Sequence, residues 1–494
     1  MWTREQLQAT VKERFQDTLL VVVSNREPYI HTFGEDGVTW RRPASGIVTA
    51  LDPVMHAVDN GLWVALASGS ADRQTADARG CLGVPPDDPS YTLKRVWLPK
   101  DILEGYYYGF ANEALWPLSH LVYRRPTFRT RDWECYQQAN RAFAKAILEE
   151  VEGKRAFIWI QDYHFCLLGQ YLHEARPDIT TGFFWHIPWP NPEIFRICPM
   201  KHELLKGLLA NDLVGFHIRY HRDNFLATVD MEIECRIDRE HIAVVRRGHR
   251  TRVRAFPISV DFEAISRDAM SAKVEAIMAE MRDSVALRGS RHIFLGVDRF
   301  DYTKGIVERL RAFDRFLEMH PEHKGEIVFL QAGEASRTHI EEYRRLNEEV
   351  DALVEEINWK HGTDTWTPVS LLRRSLSYEE VLALYRLASV LVVSSLHDGM
   401  NLVSKEFVAA RSDLRGVLVI SRFTGAAREL SDAVSVNPYH TDDFAVQLAK
   451  ALAMPKSEQA RRLTRLRQVV QENNIYTWAA SFLAELGDLP VKAG

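Results

Sequence analysis

The sequence predicts an α/β protein made of two doubly wound, Rossmann-like domains. Short runs rich in β-branched and aromatic residues alternate with amphipathic helical stretches from end to end, which is typical of parallel sheets covered by helices on both faces. The chain has 494 residues. One hydrophobic core rarely supports that length, so we expect two domains of about 200 to 250 residues.

Ten short runs have the composition and length of buried strands. In chain order they are residues 19–23, 62–66, 157–160, 180–185, 213–216, 253–256, 292–297, 326–330, 390–393 and 416–420. Helix-period segments lie between them, for example 133–150, 305–319 and 337–357. No internal repeat or low-complexity segment interrupts this alternation.

The domain boundary is expected near residue 260. Residues 261–289 are charged, helical in pattern and poor in bulky apolar side chains, so they are interpreted as the passage between the domains. The prediction is an N-terminal domain over 1–260, a C-terminal domain over 261–473, and an apolar helix over 474–494 that packs back across both. Two such domains facing each other would form a central cleft lined by the carboxyl ends of both sheets.

Composition limits the class of partner. The net charge of -5, with both signs mixed along the chain, argues against nucleic acid or an anionic membrane and favours small-molecule substrates. Five scattered cysteines without a C-x-x-C pair suit reduced thiols, so we expect a cytoplasmic protein. The sequence contains no signal-peptide core, no membrane span of ~20 apolar residues and no metal-ligand spacing. No metal or other cofactor is therefore expected, and a homo-oligomer is left open.

Residues 398–406, Asp-Gly-Met-Asn-Leu-Val-Ser-Lys-Glu, are the most informative segment because they follow a buried strand and open a helix. Asn401 is placed to cap that helix, and the amides of its first turn, with the helix dipole, would face an anion. Asp398 and Glu406 on either side can accept hydrogen bonds from sugar hydroxyls. A phosphate flanked by sugars indicates a nucleotide sugar. The alternative is a capped surface helix with ordinary acidic residues.

Cations follow two strands of the second half. Arg299 and Lys304 lie five residues apart across a turn into a helix, where they could neutralise a diphosphate leaving group. The alternative is ion pairing with Asp298 and Asp301. Arg337, after the next strand, offers another cation.

Polar residues also follow strands in the first half. Arg26 could donate two parallel hydrogen bonds to a phosphate, and Asp162 could accept a hydrogen bond from a hydroxyl or act as a base. His186 is presented by a loop that two prolines restrict. Gly46 could bring backbone amides close to a pyrophosphate. The alternatives are a surface-turn arginine, a helix cap, a buried histidine and a plain helix start.

An aromatic-rich stretch contains Tyr107 and is followed by Trp116, and these rings could form a flat platform for a sugar. Aromatic residues at such spacing are also common in protein cores.

These segments closely resemble the motifs of trehalose-6-phosphate synthases, which are retaining glucosyltransferases of the two-domain GT-B class. The resemblance covers roughly residues 19–486. Its motifs are Ser-Asn-Arg at 24–26, Leu-Trp-Pro at 115–117, Asp-Tyr-His at 162–164, His-Ile-Pro at 186–188, Asp-Tyr-Thr-Lys-Gly at 301–305, Trp-Thr-Pro at 366–368 and Asp-Gly-Met-Asn-Leu-Val at 398–403. Such enzymes transfer glucose from a nucleoside diphosphate sugar to glucose 6-phosphate.

The resemblance implies that the domain over 1–260 is the sugar-phosphate acceptor side and the domain over 261–473 the nucleotide-sugar donor side. It also implies a role for each matching residue. Acceptor binding falls to Arg26, Tyr107, Trp116, Asp162 and Arg337, with the two arginines on the phosphate. Donor binding falls to Ser45, Gly46, His186, Arg299, Lys304, Leu376, Asp398, Gly399, Met400, Asn401, Leu402, Val403, Ser404, Lys405 and Glu406. Glu406 would bind the ribose hydroxyls, Asp398 and His186 the glucose, and Arg299 with Lys304 the diphosphate. The implied catalytic residues are Asp162, His186, Arg299 and Lys304, without a metal.

Some positions depart from that family. Glu-Pro-Tyr at 27–29 resembles glucosylglycerol-phosphate synthases, a sister group that uses glycerol 3-phosphate. Ser45 stands where a second glycine is usual, Gln161 where a histidine is usual, and His397 where an arginine is usual. Arg337 matches the trehalose branch, so glucose 6-phosphate is the favoured acceptor and glycerol 3-phosphate the alternative.

The sequence disfavours two further classes of function. A catalytically silent sugar-phosphate-binding regulator is disfavoured because Arg299, Lys304, Asp398 and Glu406 are all retained. A nicotinamide dehydrogenase is disfavoured because no predicted strand is followed by G-x-G-x-x-G.

Overall fold

The computed structural model describes residues 2–14, 18–35, 37–43, 46–58, 61–284, 287, 289, 291–337 and 339–489. The chain divides into two compact units. The first contains Met1–Ile258 and Ile475–Gly494, and the second contains Ser259–Asn474. Each unit has its own mainly parallel sheet flanked by helices, so the predicted fold class, α/β with two doubly wound sheets, is confirmed.

The described elements are as follows. The strands are β1 (Thr18–Ser24), β2 (Ile30–Gly34), β3 (Gly37–Arg41), β4 (Leu62–Leu66), β5 (Cys81–Val84), β6 (Tyr91–Val96), β7 (Arg155–Gln161), β8 (Thr180–Trp185), β9 (Leu213–Phe216), β10 (Arg236–Asp238), β11 (Ala243–Arg246), β12 (His249–Ala255), β13 (His292–Val297), β14 (Ile327–Ala332), β15 (Val369–Leu372), β16 (Val390–Val393), β17 (Val417–Ser421) and β18 (Val434–Val436). The α-helices are α1 (Arg4–Arg14), α2 (Gly46–His56), α3 (Asp72–Thr75), α4 (Lys100–Leu103), α5 (Trp116–His120), α6 (Thr130–Glu150), α7 (Leu168–Ala175), α8 (Pro192–Phe195), α9 (Lys201–Leu208), α10 (Arg219–Glu232), α11 (Phe262–Asp268), α12 (Ala272–Asp283), α13 (Ile306–Met319), α14 (Glu341–His361), α15 (Tyr378–Leu387), α16 (Leu402–Ala410), α17 (Thr441–Leu452), α18 (Lys456–Glu472) and α19 (Ile475–Gly487). A π-helix, Glu104–Leu115, joins α4 to α5, and short 3-10 helices include Tyr163–Phe165 and Tyr302–Lys304.

The sheet of the first unit has the order β10-β11-β12-β9-β8-β7-β1-β4-β6-β5. Its central strands are parallel, and the antiparallel pairs, β5–β6, β10–β11 and β11–β12, lie toward the two ends of the sheet. The chain moves from β1 to β4 on one side and later returns to β7 on the other side. The order in which strands are added therefore reverses at β1, and crevices at such switch points are where doubly wound sheets bind ligands.

The sheet of the second unit has the order β15-β14-β13-β16-β17-β18, with every pair parallel. Counted from its own first strand, this is the 3-2-1-4-5-6 order of a dinucleotide-binding domain. Its switch point lies between β13 and β16.

Hydrophobic runs explain why the central strands were found from sequence. Val21, Val22 and Val23 of β1 are all fully buried, as expected for a strand covered on both faces. Each of the ten predicted runs overlaps an observed strand. Strands β5, β6, β10, β11, β15 and β18 and the β2–β3 hairpin were missed because they are short, exposed or interrupted by charges. In β6, for example, Lys94 and Arg95 are buried through ion pairs with Glu150 and Glu27.

The segment interpreted as a passage between domains forms two helices of the second unit. α11 packs against α16, and α12 packs against α15. The closing helix α19 belongs to the first unit, where Trp478 and Phe482 pack on Trp159 of β7 with ring centroids 4.8 and 4.7 Å away. Within the described ranges, no helix is both long enough and apolar enough to cross a bilayer.

The packing of α19 leads to a stability prediction. Phe482 is fully buried, so Phe482→Ala should lower the free energy of unfolding by about 3–5 kcal/mol through lost burial and a residual cavity. Phe33, which is 59% exposed in the hairpin, serves as the matched control, and Phe33→Ala should change stability by less than about 0.5 kcal/mol. Urea unfolding followed by tryptophan fluorescence measures both. Equal effects of the two substitutions would contradict the packing described for α19.

Candidate functional site

The switch point of the second sheet brings together two segments that are about 100 residues apart in sequence. One follows β13 and carries Arg299 and Lys304, and the other follows β16 and carries Asp398. Lys304 Nζ lies 2.6 Å from Asp398 Oδ2, which joins the two loops directly. The predicted diphosphate cation and the predicted sugar-binding carboxylate are therefore neighbours.

Capping of α16 follows the sequence prediction. The Asn401 side-chain oxygen accepts a hydrogen bond from the Ser404 amide at 3.1 Å, and the Ser404 hydroxyl donates to the Asn401 carbonyl at 2.7 Å. Asn401 has a φ of 79°, in the left-handed region that few side chains adopt. This strained turn starts a helix whose dipole favours an anion at its first residues.

Glycine is required where this loop meets its neighbour. The Gly425 amide donates to the Asp398 carbonyl at 3.1 Å, and a Cβ at Gly425 would collide with the carbonyl of Gly399. The loop after β17 therefore approaches the backbone of Asp398 and Gly399 closely, which fixes the start of α16.

The two cations of this region differ in their surroundings. Burial favours a neutral Lys304, but the charges of Asp398 and Asp298 outweigh it, and the pKa of Lys304 is raised above its ordinary value. Arg299 is half-buried and makes no hydrogen bond or ion pair with any residue that the structure describes. Its charge helps to hold the pKa of the buried Asp301 low, against the effect of burial, together with the charge of Arg337.

A fully buried arginine that sequence reasoning missed holds this edge together. Arg309 of α13 donates to Asp298 at 2.6 Å, to the Ser394 hydroxyl at 2.7 Å and to the Lys304 carbonyl at 2.8 Å. It also lies 3.2 Å from the side-chain oxygen of Gln331. These partners follow or end β13, β16 and β14, so one guanidinium ties together three strand ends.

Other predicted donor residues lie along α16 and before α15. Glu406 accepts a hydrogen bond from the Tyr385 hydroxyl at 2.7 Å, and burial raises the pKa of its carboxyl. Lys405 is buried with its ammonium 2.6 Å from Glu429, so it is an internal ion pair. Leu376 is half-buried between β15 and α15. The remaining members, Gly399, Met400, Leu402, Val403 and Ser404, form the loop and first turn described above.

Arg337, predicted on the acceptor phosphate, belongs to the second unit. Its guanidinium contacts the hydroxyl of Tyr343 and lies 3.5 Å from Asp301, whose carboxylate also accepts from Tyr343 at 3.1 Å. Its φ is 47°, again in the left-handed region. The side chain is thus held by a fixed acid and a fixed phenol near the loop that carries Arg299.

In the first unit, Arg26 is an exposed residue in a buried stretch. Its side chain makes no hydrogen bond or ion pair with the residues that the structure describes. The neighbouring Glu27 is buried and accepts from the Ser68 amide and hydroxyl, both at 2.8 Å, and from Arg95 at 2.9 Å. On the other side, the Tyr106 hydroxyl donates to Asn25 at 2.8 Å. The loop that presents Arg26 is therefore clamped on both sides.

The clamp contains a strongly perturbed acid. Burial, opposed by the positive charge of Arg95 and reinforced by Asp72, raises the pKa of Glu27 to about 7. Arg95 itself is fully buried and also pairs with Asp72 at 2.8 Å.

Asp162 and His186 follow adjacent strands, β7 and β8, and lie together. Asp162 Oδ1 accepts from the His186 amide at 3.1 Å and from the Tyr163 amide at 2.9 Å, and its φ is 75°. The His186 ring nitrogen Nε2 lies 2.8 Å from the side-chain oxygen of Gln161. Burial lowers the pKa of His186 to about 3, so its imidazole is neutral at physiological pH.

The remaining predicted residues of the first unit are placed as follows. Tyr107 is half-buried on the π-helix and stacks on His164, with ring centroids 5.7 Å apart and planes 13° apart. Trp116 begins α5 and packs against Tyr163 at 5.8 Å. Gly46 is the exposed first residue of α2. Ser45 lies outside the described residues.

Sequence reasoning missed Glu27, Arg95, Arg309 and Tyr385, which contact or support predicted residues. For Arg309 a signal existed. It lies on the apolar face of α13, at helical spacing from Ile306 and Phe313, and a charge in that position indicates a buried partner. Among the residues that the structure describes, no three His, Cys, Asp or Glu side chains are grouped so as to hold a metal ion.

Comparisons with known proteins identify one family. Residues 18–488 match the profile of glycosyltransferase family 20. A trehalose-6-phosphate synthase from Mycobacterium avium is 38% identical over 480 residues, which cover 95% of both chains. A bifunctional trehalose-6-phosphate synthase/phosphatase from Thermoproteus tenax is 34% identical over 94% of this chain, and the match spans 63% of that longer protein.

Solved structures give the same result. The E. coli protein bound with UDP-2-fluoro glucose superposes with a TM-score of 0.85 at 30% identity, covering 96% of this chain and 100% of that one. A UDP-forming α,α-trehalose-phosphate synthase from Burkholderia xenovorans in complex with glucose-6-phosphate superposes with a TM-score of 0.84 at 29% identity, covering 95% and 99%. The family and enzyme class expected from the motifs are confirmed, and this chain belongs to glycosyltransferase family 20.

Proposed function

We propose that this protein transfers glucose from UDP-glucose to glucose 6-phosphate with retention of configuration, forming α,α-trehalose 6-phosphate. The observation that carries the proposal is the switch point of the second sheet. There the Lys304–Asp398 pair, at 2.6 Å, joins the loop that carries Arg299 to the loop that leads into the capped start of α16. An anion site adjoining a hydroxyl-binding carboxylate suits the diphosphate and glucose of a nucleotide sugar.

The donor roles divide by chemistry. Arg299 and Lys304 bind the diphosphate, together with the first amides of α16. Asp398 binds glucose hydroxyls once Lys304 has the diphosphate as its counter-ion. The neutral His186 of the first unit contributes a hydrogen bond to glucose. Glu406 binds the ribose.

The reaction needs no protein nucleophile. The bond between the anomeric carbon and the diphosphate oxygen breaks while the anomeric hydroxyl of glucose 6-phosphate forms the new bond on the same face. The proton of that hydroxyl passes to the departing diphosphate oxygen, which is the nearest base. Fixed cations and helix amides stabilise the charge that develops on the leaving group, so they supply most of the catalysis. The residues present require no metal for this step.

The acceptor is glucose 6-phosphate rather than glycerol 3-phosphate. Arg26 and Arg337 bind its phosphate, while Tyr107, Trp116 and Asp162 contact the sugar. Two observations support this choice. Arg337 is retained, and the related Burkholderia xenovorans enzyme was solved with glucose-6-phosphate. The cytoplasmic location and the assignment of acceptor and donor sides to the two domains stay predictions, and a homo-oligomer stays open.

The direct test is release of nucleoside diphosphate from UDP-glucose, with glucose 6-phosphate or glycerol 3-phosphate offered in turn. We expect turnover with glucose 6-phosphate and a product with two α-anomeric signals by NMR. A higher kcat/KM for glycerol 3-phosphate would reverse the choice of acceptor. No turnover with UDP-, ADP- or GDP-glucose and either acceptor would leave only a silent binding homologue.

Arg299 gives the sharpest mutational test. Arg299→Ala should lower kcat by about 10²-fold or more, because it removes a charge directed at the leaving group. Arg291 is a matched control in the same unit, since it is 72% exposed and pairs with Glu326 on the surface. Arg291→Ala should leave kcat unchanged within about twofold, as a weak surface pair predicts. Near-normal turnover in Arg299→Ala would refute its assignment to the diphosphate.

The protonation state of His186 is also testable. With a pKa of about 3, its ring should not titrate between about pH 5 and 8 in ¹H–¹⁵N NMR spectra, assigned with His186→Asn. Gln161→Glu places a negative charge beside Nε2 and favours the protonated ring, so titration should appear in that range. Titration of the wild-type ring at about 6.5 would show that it is solvated and not held as described.

A further inference from the structure

We propose that Tyr385 is a positioning residue that orients the carboxylate of Glu406 toward the two ribose hydroxyls of the nucleotide donor. The inference rests on the proposed function, in which Glu406 binds the ribose. It adds a residue of α15 that no motif comparison selected.

The hydrogen bond between the two side chains commits one oxygen of the carboxylate. The Tyr385 hydroxyl donates to Glu406 Oε2 at 2.7 Å. Among the residues that the structure describes, no other side chain hydrogen-bonds to Glu406. Oε1 thus keeps both its lone pairs for ligand hydroxyls, and Oε2 keeps one. A carboxylate that is held in one orientation can accept hydrogen bonds from two adjacent hydroxyls, such as those of a ribose.

The backbone and the ring of Tyr385 are both held by residues of α16 or directly after it. Arg411, which follows the last turn of α16, donates to the Tyr385 carbonyl at 2.8 Å and to the Ala388 carbonyl at 3.0 Å. The Tyr385 ring is 1% exposed and stands edge-on to Phe407, with centroids 6.3 Å apart and planes 83° apart. The hydroxyl therefore has little freedom to leave Glu406, and the geometry is set before any ligand binds.

The same bond bears on the charge of Glu406. Burial raises the pKa of this carboxyl, and the hydrogen bond from Tyr385 opposes that rise. Ribose hydroxyls donate to an ionised carboxylate more strongly than to a protonated one. Tyr385 thus favours the form of Glu406 that binds a diol best.

Tyr385→Phe separates this role from simple packing, because phenylalanine keeps the ring and its contact with Phe407. We expect KM for UDP-glucose to rise about tenfold while kcat changes by less than about twofold, as loss of a hydrogen bond to a charged group in the binding step predicts. Tyr171→Phe, at a half-buried tyrosine of the first unit outside the proposed site, should change neither constant.

The decisive measurement uses two inhibitors, UDP and 2′,3′-dideoxy-UDP, against the wild type, Tyr385→Phe and Glu406→Gln. In the wild type, UDP should bind more tightly than the dideoxy compound. In Tyr385→Phe, Ki for UDP should rise about tenfold and Ki for dideoxy-UDP should stay the same, since the lost bond acts only through the ribose hydroxyls. Glu406→Gln should remove most of the discrimination.

Two outcomes would overturn the inference. An equal rise of both inhibition constants in Tyr385→Phe would mean that the hydroxyl acts through packing and not through the ribose. Equal binding of the two inhibitors to the wild type would mean that Glu406 does not bind the ribose. Either result with normal wild-type transfer leaves the proposed function intact, whereas absent wild-type transfer refutes the function itself.

Discussion

The candidate donor site depends on one buried cation, Arg309. A guanidinium without solvent is costly unless its donors are satisfied, and here they bond to groups at the ends of β13, β14 and β16. Because the Lys304 carbonyl is among those partners, the backbone that carries the predicted diphosphate cations is fixed from beneath. That fixed backbone holds Lys304 in the position from which its ammonium reaches Asp398.

The first unit repeats this arrangement with different residues. Arg95 is also fully buried, and it is paired with Glu27 and Asp72. Through Glu27 it supports the loop after β1, which presents Arg26 to solvent. In both units a buried arginine supports a loop that carries a second arginine, Arg26 or Arg299, whose side chain makes no hydrogen bond or ion pair with the residues that the structure describes. Orienting a long, flexible cation is difficult by packing alone, and a rigid backbone behind it reduces the freedom lost on binding.

The central strands and most of the candidate site residues could be predicted from the sequence. Strands such as β1 and β7 are continuous apolar runs, so sequence alone located them and the polar residues after them. The pairing of Lys304 with Asp398 follows from strand order, which the sequence pattern does not determine, because residues about 100 positions apart meet only once β13 and β16 are neighbours. The residues that support the site were harder to predict from the sequence. Arg95 interrupts the apolar pattern of β6, and Tyr385 resembles any other core aromatic on α15, since its value lies in where one hydroxyl points. Lys405 is a motif residue whose ammonium pairs with Glu429 inside the second unit, a contact that the sequence pattern does not indicate.

In the proposed function, the Lys304–Asp398 contact makes the donor site respond to two chemical features at once. Each member is the other's counter-ion, so a small inorganic anion that attracts Lys304 leaves the half-buried Asp398 without its positive partner, and a free sugar that attracts Asp398 must compete with an ammonium. A nucleotide sugar compensates both members together, because its diphosphate replaces the carboxylate and its hydroxyls replace the ammonium. The ion pair thus favours a ligand that carries both a diphosphate and sugar hydroxyls. It discriminates against the abundant simple phosphates and sugars of a cell without any steric barrier.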